Sequence, residues 1–261
     1  MKYFTVPFIL LALTMSPALS QGIRITGPDR SVLLEGTAYD ITWAADSPLK
    51  DVSVIAYGIR TPLGDTSRGD FNIPISSSLA EGATSVNWTV PWIDAITFFV
   101  KVAGQTADGK QSTGIRAYGF RPYVLRNRTK DGIYLDLHLK KNQRLYVQRG
   151  GRITNVFISS SSAEYRWLSR NRHLNAPHDH AGVFSILEKK PLHHSRLFDV
   201  DMPWAMRYHG GHFIHATPPE NYEYLGEPAS SGCNRMTYVD AYKLYHMTPV
   251  GTRVEIIGPG G

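Results

Sequence analysis

The sequence predicts a mainly β chain in two parts, and three observations carry that reading. Short segments that alternate apolar and polar residues recur between clusters of turn residues. One stretch, beginning at Thr237, carries a clear helix start signal. All ten histidines lie at or after His138, and the single cysteine is Cys233. Strands without imidazole or thiol chemistry therefore precede strands that have both.

Taken in order, residues 1–20 read as an export signal. Lys2 supplies a positive start, Phe4 to Leu13 an apolar run, and Ala18-Leu19-Ser20 the small residues a signal peptidase reads. No other run approaches the about 18 apolar residues of a membrane span. An exported protein without a membrane span, in the periplasm or cell wall, is the expectation.

From residue 22 to 122 the strand segments are 39–43, 52–57, 85–90, 98–102 and 117–120, punctuated by Gly58, Gly64, Gly82, Gly104 and Asp108-Gly109. Strands at that spacing, with no helical period between them, predict an Ig-like β-sandwich suited to binding or spacing rather than catalysis. Two sequons, at Asn87 and Asn127, matter only in a host that glycosylates. Residues 123–131, with Arg126, Arg128 and Lys130, read as a basic linker. From 132 to 258 the β pattern returns at 133–137, 144–147, 153–158, 183–187 and 213–215. A helix then starts at Thr237-Tyr238-Val239-Asp240, a capping-box shape with Asp in the Glu position, and Pro249 stops it. Residues 253–257 close the chain as a strand.

The composition sets limits on function. With 42% hydrophobic and 19% charged residues the chain is globular rather than disordered, and 23 Gly and 16 Pro without a period exclude collagen. A net charge of +6 favours an anionic surface or polymer as partner. One cysteine forbids an intramolecular disulfide and leaves Cys233 as apolar filler, intermolecular link or reactive thiol.

Its neighbours favour the reactive thiol. Cys233 follows Ser230-Ser231-Gly232 and precedes Asn234-Arg235-Met236 and the helix. A thiol on the approach to a helix would see a dipole that favours thiolate. Gly232 allows a tight turn, and its amide with that of Cys233 would serve a tetrahedral oxyanion. Arg235 would hold a carboxylate through paired hydrogen bonds. A thiol nucleophile needs a base, and His215, ending the Phe213-Ile214 segment eighteen residues upstream, is the best candidate. His178-Asp179-His180 has the look of a metal fragment but lacks a third ligand at a recognisable spacing, so no metal site is expected. His193-His194, being adjacent, would face opposite ways on a strand. His209 and His212 flank Gly210-Gly211 near the proposed base, and Tyr208 is either a donor at the oxyanion site or a core aromatic.

The stretch from His215 with a small residue after it to Ser-x-Gly-Cys-x-Arg before a helix resembles the L,D-transpeptidase catalytic domain of the YkuD family. The approach 202–208 with 213–215 matches the run to that family's histidine. Residues 144–147 with 153–159, and 182–186, resemble its opening hairpin and middle segment. The likeness covers about residues 132 to 258. It implies a β-rich catalytic domain with a short helix after the nucleophile, Cys233 as nucleophile and His215 as proton acceptor and donor. It also implies Gly232 at the oxyanion, peptidoglycan stem peptides as substrate, and no cofactor. Tyr208, His209, His212, Ser230 and Arg235 are the candidate substrate contacts, and His178 to His180 would line the cleft. Two positions depart from the pattern: Ser231 stands where the family has histidine, and Ala216 where it has glycine. Release of D-Ala and transfer to an amine acceptor is the leading reaction. The alternatives are an L,D-carboxypeptidase, in which water resolves the thioester, and a non-catalytic wall-binding protein. A wall polymer is the candidate partner of the first domain, and no nucleic acid is expected.

Overall fold

The structure is a computed structural model, and it describes residues 22–60, 69–137, 142–161, 167–169, 172–174, 181–230 and 232–258. Residues 1–20, His178 to His180 and Ser231 lie outside the described residues.

Among the described residues, eight strands make the first part: β1 (Ile23–Gly27), β2 (Val32–Leu34), β3 (Ala38–Ala45), β4 (Lys50–Ile59), β5 (Asp70–Leu79), β6 (Ser85–Thr89), β7 (Thr97–Gln105) and β8 (Gln111–Arg121). They form a three-stranded sheet in the order β1-β3-β6 and a five-stranded sheet in the order β2-β8-β7-β4-β5. Alternate residues of β4 and β7 (Val52, Val54, Ala56; Phe98, Val100, Val102) point inward, where they meet Ile23, Ile41, Trp43 and Trp88 of the opposing sheet in one buried core. Two sheets thus pack face to face on one core. The segment 123–131 is not a loose tether. Leu125, in the short 3-10 turn Tyr123–Leu125, is fully buried with Tyr134, Tyr146 and Ile257. Arg128 Nε donates to Glu255 Oε1 at 2.6 Å, and Arg121 Nη2 donates to Gln148 Oε1 at 3.1 Å.

The second part adds β9 (Gly132–Asp136), β10 (Arg144–Arg149), β11 (Arg152–Ile158), β12 (Trp167–Ser169), β13 (Arg172–Leu174), β14 (Gly182–Ser185), β15 (Glu188–Ser195), β16 (Val200–His209), β17 (His212–Ala216), β18 (Asn234–Met236), helix α1 (Tyr238–Met247) and β19 (Arg253–Ile257). The five-stranded sheet runs β11-β10-β9-β19-β14, and a four-stranded sheet runs β15-β16-β17-β18. The core joins Leu135, Val147 and Val254 of the first to Met206, Ile214 and Met236 of the second, and to Ala241 and Leu244 of α1. The chain is thus mainly β with one short helix after Cys233, as the sequence predicts.

α1 starts where the cap signal sits. The Thr237 side chain accepts the Asp240 amide at 3.1 Å, and Thr237 itself is fully buried. Thr237→Ala is expected to lower stability by about 1 kcal/mol, read as a shift in the urea midpoint at constant slope.

Candidate active site

The site is assembled on the four-stranded sheet. β17 and β18 run parallel, with His215 beside Arg235 in register. Ile214 and Ala216 of β17 face the core with α1, so His215 and Phe213 point to the other face. There Phe213 forms a small cluster with Met202 and Ala205, and Cys233 packs against it. His215 on β17 and Cys233, the residue before β18, therefore lie diagonally on one face of the sheet. Cys233 is half-buried and His215 is 6% exposed.

His215 Nδ1 lies 2.7 Å from the Ala216 carbonyl oxygen, which can only accept. Nδ1 thus carries the proton, and Nε2 keeps its lone pair for proton transfer. Burial pushes the imidazole down to about 4, and Arg235 and His193 act in the same direction against the Ala216 carbonyl. The residue that follows His215 serves through its carbonyl, so alanine in place of the family's glycine leaves this bond intact.

Cys233 is held from both sides. The β16–β17 turn places the Gly211 carbonyl 3.9 Å from Cys233 Sγ, and His212 Nδ1 donates to the Gly232 carbonyl at 2.8 Å. Gly232 has φ +131°, a conformation open to glycine. Its amide donates to Ser230 Oγ at 3.1 Å, and Ser230 is fully buried. For that amide to reach an oxyanion, the serine hydroxyl must yield it. One correction concerns the helix dipole. Three strand residues separate Cys233 from Thr237, and α1 packs on the opposite, core face, so its dipole, which fades within a turn, does not reach the sulfur.

Residues 131–256 match the YkuD family, described as the L,D-transpeptidase catalytic domain. That stretch, just under half of the chain, is similar to the YkuD family. Among solved structures, an L,D-transpeptidase from Xylanimonas cellulosilytica DSM 15894 is similar at 24% identity and TM-score 0.44 over 53% of this chain and 65% of that one. One from Stackebrandtia nassauensis is similar at 22% and 0.40 over 53% and 65%, and one from Mycobacterium smegmatis at 13% and 0.38 over 90% and 99%. The chain thus spans less than two thirds of the first two. No curated protein matches the sequence.

Within the matched residues the remaining candidates separate. Arg235 Nη1 donates to the Ala229 carbonyl at 3.1 Å, and its half-buried side chain shares the face of Cys233. The His209 ring is tilted against Phe184 with centroids 4.7 Å apart and stacks on His212 at 6.0 Å, beside the turn that carries Gly211. Tyr208 is buried on the core face, where its hydroxyl accepts from Asn234 Nδ2 at 2.8 Å. Sequence reasoning left His193 unassigned. Its ring stacks on Phe213 with centroids 4.6 Å apart, and burial lowers its pKa. His194 faces out between Asp199 and Asp201, which raise its pKa, Asp201 first. The signal for this was the adjacent pair itself, since alternation on a strand sends one of the two inward.

Proposed function

We propose that the protein is an exported cysteine L,D-transpeptidase acting on peptidoglycan stem peptides. The observation that carries the reading is a half-buried thiol and a neutral, oriented imidazole sharing one face of adjacent parallel strands inside the YkuD domain. His215 Nε2 takes the Cys233 proton as the sulfur attacks the carbonyl of the bond between an L-centre and D-Ala. The tetrahedral intermediate collapses, the proton passes from His215 to the departing amine, and D-Ala leaves a thioester on Cys233. An acceptor amine then attacks the thioester carbonyl, His215 takes its proton and returns it to the sulfur, and the thiol is regenerated. Arg235, on the same face, is suited to a stem carboxylate. The residues of 1–20, with a basic start, an apolar run and a small-residue end, support export to the periplasm or wall, and the net charge of +6 suits an anionic polymer.

The test is product mass after incubation of the mature chain with a tetrapeptide stem, with and without an amine acceptor. Loss of D-Ala with a joined product is the expected result. Loss of D-Ala with water as the only acceptor makes the protein a carboxypeptidase. A folded chain that turns over nothing, and whose Cys233 is not acylated by a carbapenem, overturns the catalytic reading in favour of wall binding.

A further inference from the structure

The junction between the two halves contains a buried ion pair that the proposed chemistry does not use. Arg144, the first residue of β10, directs Nε and Nη2 to the two carboxylate oxygens of Asp94 at 3.0 and 2.8 Å. Asp94 belongs to the N-terminal sandwich, between β6 and β7. Both side chains are almost wholly excluded from solvent, at 1% and 3%. The guanidinium also sits 5.3 Å from the Trp92 ring, again from the sandwich. Its third nitrogen, Nη1, donates to the Gln143 carbonyl at 2.9 Å.

Gln143 is where this contact meets the site. It is fully buried and uses its backbone and side chain on four further partners. Its amide donates to Gly226 O at 2.8 Å, and its carbonyl also accepts from the Ser159 amide. Its Nε2 donates to Leu137 O, and its Oε1 accepts the Ser161 amide at 2.9 Å. The Ser161 carbonyl accepts the amides of Ala229 and Ser230 at 3.0 and 2.9 Å. Ser230 Oγ takes the Gly232 amide, one residue before the thiol. Next to it, Ser160 and Arg235 exchange both backbone hydrogen bonds at 3.0 Å, fixing the strand that follows Cys233. The loop before the nucleophile and the strand after it are thus both fastened to residues 159–161. Those residues are fastened to Gln143, and Gln143 to the sandwich.

We propose that the N-terminal sandwich sets the position of the nucleophile, with Asp94 as a positioning residue that acts on Cys233 through Arg144, Gln143, Ser161 and Ser230. Without the carboxylate, a buried guanidinium keeps one carbonyl partner and must recruit water or swing away. Either response moves Gln143, which holds the loop. The sandwich is on this account a working part of the thiol site rather than a spacer.

The test uses the full mature chain and the rate of Cys233 alkylation by iodoacetamide from pH 5 to 10, at a temperature where melting curves show each variant folded. This readout needs neither stem peptide nor acceptor, so it stands apart from the transpeptidase reading. Asp94→Ala is expected to slow alkylation at pH 7 about tenfold and to change the pH profile of the rate from that of the wild type. Asp94→Glu is expected to recover part of the loss. Asp94→Asn, which keeps the shape of the side chain, carries the same test at lower risk to folding, and Gln143→Met interrupts the relay while leaving the ion pair in place. A purely structural pair would lower the melting temperature and leave the alkylation profile of the folded protein unchanged. Profiles that match the wild type in both Asp94→Asn and Gln143→Met would overturn the proposal.

Discussion

His215→Gln is expected to reduce turnover by about 10² to 10⁴, the range that a positioned general base contributes, while the chain stays folded. Glutamine can still hydrogen-bond the Ala216 carbonyl through its amide nitrogen, but it offers no basic nitrogen to the thiol. The pH dependence distinguishes this role from others. Because burial holds His215 at about 4, the wild-type rate should persist well below the about 6.5 of an ordinary histidine and fall only as the pH approaches 4. An acid limb near 6.5 would show that water reaches the ring and would sink this account. Stability carries the same signature. The folded pKa lies below the unfolded one, so the unfolded chain binds the extra proton between the two values. Stability is then complete above about 6.5 and is lost as the pH falls toward 4, by roughly 3 kcal/mol. His215→Gln should flatten that part of the melting-temperature profile, and an unchanged slope would refute it.

Gly132→Ala is the largest stability effect expected outside the site. Gly132 opens β9 with φ +148°, and a Cβ there would lie 2.6 Å from the Arg253 carbonyl oxygen. That oxygen is backbone of the neighbouring central strand and cannot swing aside. Strain and displacement together should cost about 3 kcal/mol or more, lowering the melting temperature by roughly 6–12 °C for a cooperative unit of this size. The effect should spread, because Arg253 pairs with Glu255, Glu255 with Arg128, and Arg128 lies in the junction between the halves. A drop of under 2 °C in a calorimetric scan would mean that β9 and β19 part at little cost.

Much of this architecture was legible from residue patterns. The central strands of the sandwich alternate because one of their faces is buried, and α1 announces itself through a cap that the structure uses. Cys233 and His215 stood out because their surroundings are local in sequence. What escaped had physical reasons. β5 contains Pro74 and a run of serines, which is tolerated because it pairs only with β4 and leaves its other edge open. β15 reads as charged and is broken by Pro191, since much of it is exposed. The Asp94–Arg144 pair spans fifty residues and belongs to no local motif. Its partners meet only once both halves have folded, and no periodicity encodes such a meeting.

The parallel pairing of β17 with β18 has a further consequence. Parallel neighbours need a long return connection, and here it runs from Ala216 to Asn234 through the turn Pro219–Tyr224. His215 and the chain entering β18 at Cys233 are aligned by rungs of the ladder, not by the path between them. Substitutions in the excursion around Glu220 to Tyr224, whose Tyr222 hydroxyl accepts the Tyr238 amide at 2.9 Å, would therefore alter the connection while leaving the register of β17 and β18 in place. The alignment of His215 with its neighbours is in this way insulated from changes in the chain that joins the two strands.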